Sequence, residues 1–195
     1  MRTKEFLLRI IGCFIVLGGL NGCGKTQEII LPGFSYLSDT IALDVADVVV
    51  VSTADPSQEV SNPLMPVSIR QTLEDWANKR FVAAGKKGKA LITIKEVHTV
   101  SGGLKKAEDI HVLFNSDKPD YFGAKALVTI EVIGTESYSK GEAQAFLERR
   151  VEIESDVKLG FRRRLWQQFV QTFMNALDDQ MMLNLATYLP KVLVE

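Results

Sequence analysis

The sequence predicts a two-layer α/β sandwich of the α+β kind, in element order β-α-β-β-β-α, with a mixed four-stranded sheet covered on one face by two helices. Three observations predict it. A run of β-branched residues opens the body at positions 41–51, three later segments alternate apolar and polar residues, and the chain closes on a long stretch with apolar residues at helical spacing. A single domain over residues 41–195 is expected, because a chain of 195 residues with 46% hydrophobic content can fill one core.

The first strand is "IALDVADVVVV", residues 41–51. After a turn-rich stretch, "SIRQTLEDWANKRFVAAG" reads as a helix, with Ser68 and Gln71 spaced as a capping box and Gly85 as the stop. Ile69, Leu73, Trp76, Ala77, Arg80 and Ala84 share one side of it, with Arg80 expected to snorkel. Strands follow at 90–100, 125–134 and 142–154. Ala126, Val128, Ile130 and Val132 face one way and Thr129 and Glu131 the other, while Ala143, Ala145, Leu147, Val151 and Ile153 repeat the pattern, interrupted by Arg149.

A sheet with one dry face needs one cover. The closing segment supplies it from Arg162 to Leu189, with Trp166, Val170, Phe173, Leu177, Met181 and Tyr188 in one stripe and Gln168, Gln171, Asn175, Asp178 and Asp179 on the back. Its length of roughly 42 Å against roughly 34 Å for a ten-residue strand predicts an overhang at one end. The connection between the first two strands is expected to be right-handed, and the remaining strands to form a meander.

Composition narrows the function classes. With 23 basic and 24 acidic residues the net charge is -1, which argues against nucleic acid as a partner. Cys13 and Cys23 are the two cysteines, so the body has no thiol for a disulfide or a zinc cluster. His98 and His111 have no ligand partner at metal-binding spacing, Ser101 lies in a turn-like "VSGGL" with no nucleophile elbow, and Asp178, Asp179, Glu152 and Glu154 fall on wet faces. No enzyme, metal or cofactor is expected.

Residues 19–26, "GLNGCGKT", match the phosphate-loop pattern, but the flanks do not. Upstream stand Arg2, Lys4 and Arg9 and then an apolar run broken only by glycines; downstream, Pro32 and Gly33 interrupt the required helix. No nucleotide is expected. The upstream order is instead that of an export signal over residues 1–22. A second glycine and lysine cluster, "AAGKKGKA", follows a helix C-terminus, where the dipole repels anions.

The tetrapeptide "LNGC", residues 20–23, resembles the lipobox of bacterial lipoproteins. That resemblance implies cleavage before Cys23, a lipidated Cys23 carrying diacylglyceryl and amide-linked acyl chains such as palmitate, and a tether over residues 23–40. Two or three chains hold a protein at a bilayer where one does so marginally. Gly24 in place of an aspartate implies the outer membrane, facing the periplasm. Loss of Arg2, Lys4, Arg9 and Glu5 with the signal takes the net charge from -1 to about -3.

In the body, "FSYLSDTIALDVADVVVV", "PVSIRQTLEDWANKRFVAAG" and "LWQQFVQTFMNALDDQM" resemble an uncharacterised family of alphaproteobacterial envelope lipoproteins. The element order is also similar to that of the lipopolysaccharide-assembly lipoprotein and of the auxiliary lipoproteins of envelope lipid transporters. The uncharacterised family brings no assigned activity; with no catalytic constellation in the chain, the expectation is a non-enzymatic assembly or transport accessory with an envelope protein or lipid as partner. A periplasmic lipid carrier is the alternative, requiring a cavity lined by Met174, Met181 and Met182.

Two surfaces are candidates for contact. The long connection from Ser101 to Gly123 carries Ile110, Val112, Leu113, Phe114, Tyr121 and Phe122, which either dock a partner or fold back as a hairpin that extends the strands. Arg162, Arg163 and Arg164 crowd a helix N-terminus, where they either bridge to Glu152, Glu154 and Asp156 or meet anionic headgroups or an acidic partner.

Overall fold

The computed structural model describes residues 39–102, 120–154 and 157–194, and within them the opening apolar run is two strands rather than one. β1 (Ile41–Leu43) and β2 (Asp47–Ser52) are separated by a bend at residues 44–46. The bend has a side-chain reason. Leu43 and Val45 are fully buried, and strict alternation from them would carry Asp47 inward; the bend changes the parity so that Val48 and Val50 pack on the core instead.

α1 (Ile69–Arg80) buries Ile69, Thr72, Leu73, Trp76 and Ala77. The Ser68 hydroxyl accepts from the Gln71 amide at 3.1 Å, as the capping spacing predicts, but the reciprocal partner is Glu59. Glu59 Oε1 accepts from the amides of Ile69 (2.8 Å) and Arg70 (3.2 Å), and its Oε2 accepts from the Ser68 hydroxyl (2.8 Å). The expected continuation of the helix to Ala84 is corrected. Phe81 turns extended and opens β3 (Phe81–Ala83), drawn into parallel pairing with β1, and Ala84 is exposed.

The main sheet has the order β2-β4-β5-β6, where β4 is Lys89–Gly102, β5 Asp120–Ile133 and β6 Lys140–Ile153. β2 runs parallel to β4, and the other pairs are antiparallel, giving the mixed four-stranded sheet that the sequence predicts. One dry face follows from the register. Ala90, Ile92 and Ile94 lie opposite Val132, Ile130 and Val128, which lie in turn opposite Gly141, Ala143 and Ala145. Past Ile94 the buried β4 residues become Val97 and Thr99, a change from even to odd positions made possible by a bulge at Lys95.

α2 (Leu159–Tyr188) covers this face with Trp166, Val170, Phe173, Met174, Leu177, Met181 and Leu185. Small residues on β6 let it come close: a Cβ on Gly141 would sit 2.5 Å from Leu189 Cδ2. The expected overhang is corrected as well. Thirty helical residues span about 45 Å and the 14-residue strands about 48 Å, so the layers match in length. The C-terminal residues return to β1, where Leu43 bridges Leu193 and the Val194 amide donates to Ala42 O at 3.0 Å.

Candidate interaction surface

α2 begins without the usual compensation for its amides. Lys158 stands at the cap position with no side-chain hydrogen bond, and no acidic residue lies in the first turn. The three arginines that follow have separate fates. Arg162 is 8% exposed; its Nε donates to Val157 O at 2.9 Å and its Nη1 pairs with the carboxylate of Asp120, itself buried at the start of β5. Asp120 is a partner the sequence reading did not name: Arg162 points inward on the first turn of the helix and meets it at the start of β5, while the expected partner Asp156 lies outside the described residues.

Arg163 and Arg164 stay exposed, and the Arg164 guanidinium lies 5.5 Å from the centroid of the Phe161 ring. Phe161 is 45% and Leu159 55% exposed, so this end of α2 shows two large apolar side chains among Lys158, Arg163 and Arg164. A shallow cleft of about 550 Å³ runs beside them, lined by Glu154, Val157, Lys158, Gly160, Phe161 and Arg164. Sequence reasoning passed over Leu159 and Phe161. The signal was available: in "KLGFRRRLW" they precede the arginines, Leu159 at the very start of the helix and Phe161 off the stripe that Trp166 and Val170 define.

The second expected surface divides between the two faces of the sheet. Ser101 pairs with Phe122 and Gly102 with Tyr121, so both ends of the long connection extend the strands. Phe122 is fully buried, edge-on to Trp166 at 5.3 Å between centroids, and this corrects its placement on a contact surface: even-numbered β5 residues face the helices. Tyr121 faces the other way. Its ring covers Gly102, where a Cβ would lie 2.1 Å from the ring, and the Arg150 guanidinium sits 3.6 Å from its centroid. Ile110, Val112, Leu113, Phe114, His111 and Cys23 lie outside the described residues.

Two residues expected at the surface form the polar centre of the core. Asp178, assigned to the wet back of the last helix, is 6% exposed and accepts from Trp76 Nε1 (2.8 Å), Arg80 Nε (3.0 Å) and Arg80 Nη2 (2.9 Å). Arg80 therefore does not snorkel to water, because a carboxylate from the neighbouring helix meets it. Asp179, Glu152 and Glu154 are exposed.

The glycine and lysine cluster links β3 to β4, with Lys87 paired to Glu136 at 3.1 Å in solvent. A cleft of about 490 Å³ at the start of α1 has Glu59 in its wall, and that carboxylate already holds the helix amides an external anion would seek. Met174 and Met181, suggested as the lining of a carrier's cavity, are fully buried in the core cluster. They fill space there.

No family model matches the chain, and no curated protein matches it. Among solved structures it is similar to rare lipoprotein B from Shewanella oneidensis, with 11% identity, 72% of this chain and 94% of that one covered, and a TM-score of 0.35. It is also similar to a putative neuraminyllactose-binding hemagglutinin homolog from Helicobacter pylori, with 8% identity, 70% and 84% covered, and a TM-score of 0.28. Both likenesses are distant.

Proposed function

We propose that the protein is a periplasmic lipoprotein of the outer membrane, anchored through acyl chains on Cys23, that acts by contact with an envelope protein or lipid and not by catalysis. The observation that carries the reading is the order of residues 1–23: basic residues, an apolar run too short for a comfortable span, then "LNGC". Among the described residues no helix is long and apolar enough to cross a membrane, so on this reading attachment falls to the acyl chains.

The start of α2 supports a role beside a bilayer. Leu159 and Phe161 among Lys158, Arg163 and Arg164 combine apolar area with positive charge, the pairing that suits anionic headgroups or an acidic partner. Residues 24–38 span at most about 50 Å when extended, enough for this surface to reach the membrane from which the tether hangs. Density-gradient fractionation tests the reading. The wild-type protein is expected with the outer membrane and Cys23→Ala is expected to leave that fraction; a Cys23→Ala protein retained there at its normal level overturns the reading.

A further inference from the structure

Among the described residues β6 is an outer strand of the sheet, and the side it leaves unpaired there is long and patterned. The Gly134 amide donates to Ser139 O at 3.1 Å, so that pair is hydrogen-bonded. Continuing the antiparallel alternation places the odd-numbered β6 residues in bonded pairs with β5 and turns the N–H and C=O groups of the even-numbered residues 142–152 outward. Asn184, which donates to Gln144 O at 2.6 Å, agrees with that direction and reaches one of these groups. The same even-numbered side chains stand on the face away from the helices.

An open edge of this length is a template for another strand. The charges along it specify which. We propose that β6 pairs antiparallel with β6 of a second copy of the chain, centred on Phe146, joining two sheets into one across a two-fold axis. In that register Lys140 faces Glu152 of the second copy, Glu142 faces Arg150, Gln144 faces Glu148, and Phe146 faces its own counterpart. Each opposite-charge pair occurs twice by symmetry. Moving the axis to residue 145 sets Glu142 against Glu148 and Lys140 against Arg150, and moving it to residue 147 sets Glu142 against Glu152.

Within one chain Glu142 lies 3.8 Å from Lys95 and Phe146 is exposed, while Arg150 lies 3.9 Å from Glu152 with its guanidinium over the Tyr121 ring and Lys140 pairs with Glu131. On the helix side of the edge runs a cleft of about 410 Å³ whose walls include Ala143, Gln180, Asn184 and Tyr188. The register sets Arg149 of the second copy opposite Ala143, on this side of the sheet. Arg149 has no ion pair among the described residues, and Gln180 Oε1 is buried without a hydrogen-bond partner, so the association brings a donor to the side that holds an orphaned acceptor.

The test is the mass of the full chain in detergent, by light scattering at several protein concentrations, for wild type, Glu142→Arg, Arg150→Glu and the charge-swapped double variant. Wild type and the double variant are expected at twice the chain mass and each single variant at the chain mass. A monomeric wild type, single variants that stay dimeric, or a double variant that stays monomeric overturns the proposal. The readout does not depend on where the protein resides or on what it contacts there.

Discussion

Arg80 on α1 and Asp178 on α2 meet in a two-pronged ion pair at the junction of the helices, 3.0 Å from Nε to Oδ1 and 2.9 Å from Nη2 to Oδ2. Trp76 Nε1 donates to the same carboxylate, and Arg80 Nη1 donates onward to Asp39 O, so one buried acid joins both helices to the segment that leads into β1. Removing the acid takes the acceptor from three N–H donors, one on Trp76 and two on Arg80. Asp178→Ala is therefore expected to cost about 3–5 kcal/mol in denaturant unfolding, and a loss under about 1 kcal/mol would mean that the pair behaves as a surface ion pair.

Arg162 and Asp120 pose the same question at the other end of α2, with a different control. Asp120→Ala takes a carboxylate from a buried guanidinium and is expected to destabilise by about 3 kcal/mol. Replacing both partners by apolar residues, Asp120→Leu with Arg162→Met, should recover most of the loss, because no charge then needs solvation. Equal losses in the single and double variants would show that Arg162 matters through its bond to Val157 O.

The bulge at Lys95 sets which β4 residues face the core. Deleting Lys95 would turn Val97 and Thr99 to the open face or shift the rest of the strand, and it is expected to abolish the cooperative thermal transition. Lys95→Ala keeps the extra residue and should stay within about 0.5 kcal/mol of wild type. A deletion variant that melts like the wild type would contradict the register.

Gly88 and Gly134 both have positive φ, 74° and 70°, but their surroundings differ. A Cβ on Gly88 would lie 2.6 Å from Ile133 O, whereas one on Gly134 would meet its nearest atom at 3.9 Å. Gly134→Ala should carry only the left-handed backbone penalty of about 1–2 kcal/mol. Gly88→Ala should cost clearly more in the same unfolding experiment, and equal costs would count against the close approach of these two turns.

What the sequence disclosed and what it hid separate on physical lines. Local periodicity was legible: the alternation of Ala126 to Val132 and the stripe of Trp166, Val170, Phe173 and Leu177 placed strands, helix and dry face correctly. Features set by contacts far apart in the chain were not. Asp178 looks like solvated back-face charge until Arg80 arrives from 98 residues away, and Phe122 looks like loop until Ser101 pairs with it. The split of residues 41–51 was hidden for the same reason, since its two halves answer to different strands, β3 and β4. At the candidate surface the arginines were visible as a cluster. That Arg162 leaves the cluster for Asp120 depends on the end of β5, where the sequence alone suggests an irregular connection.

The account of function stands on the chemistry of one early sulfur. Intact-mass and N-terminal peptide measurement of the protein purified from its native membranes tests it most directly. The predicted result is a chain that starts at Cys23 and carries the added mass of thioether-linked and amide-linked acyl chains. An unprocessed chain that still begins at Met1, with a free thiol at residue 23, would contradict it.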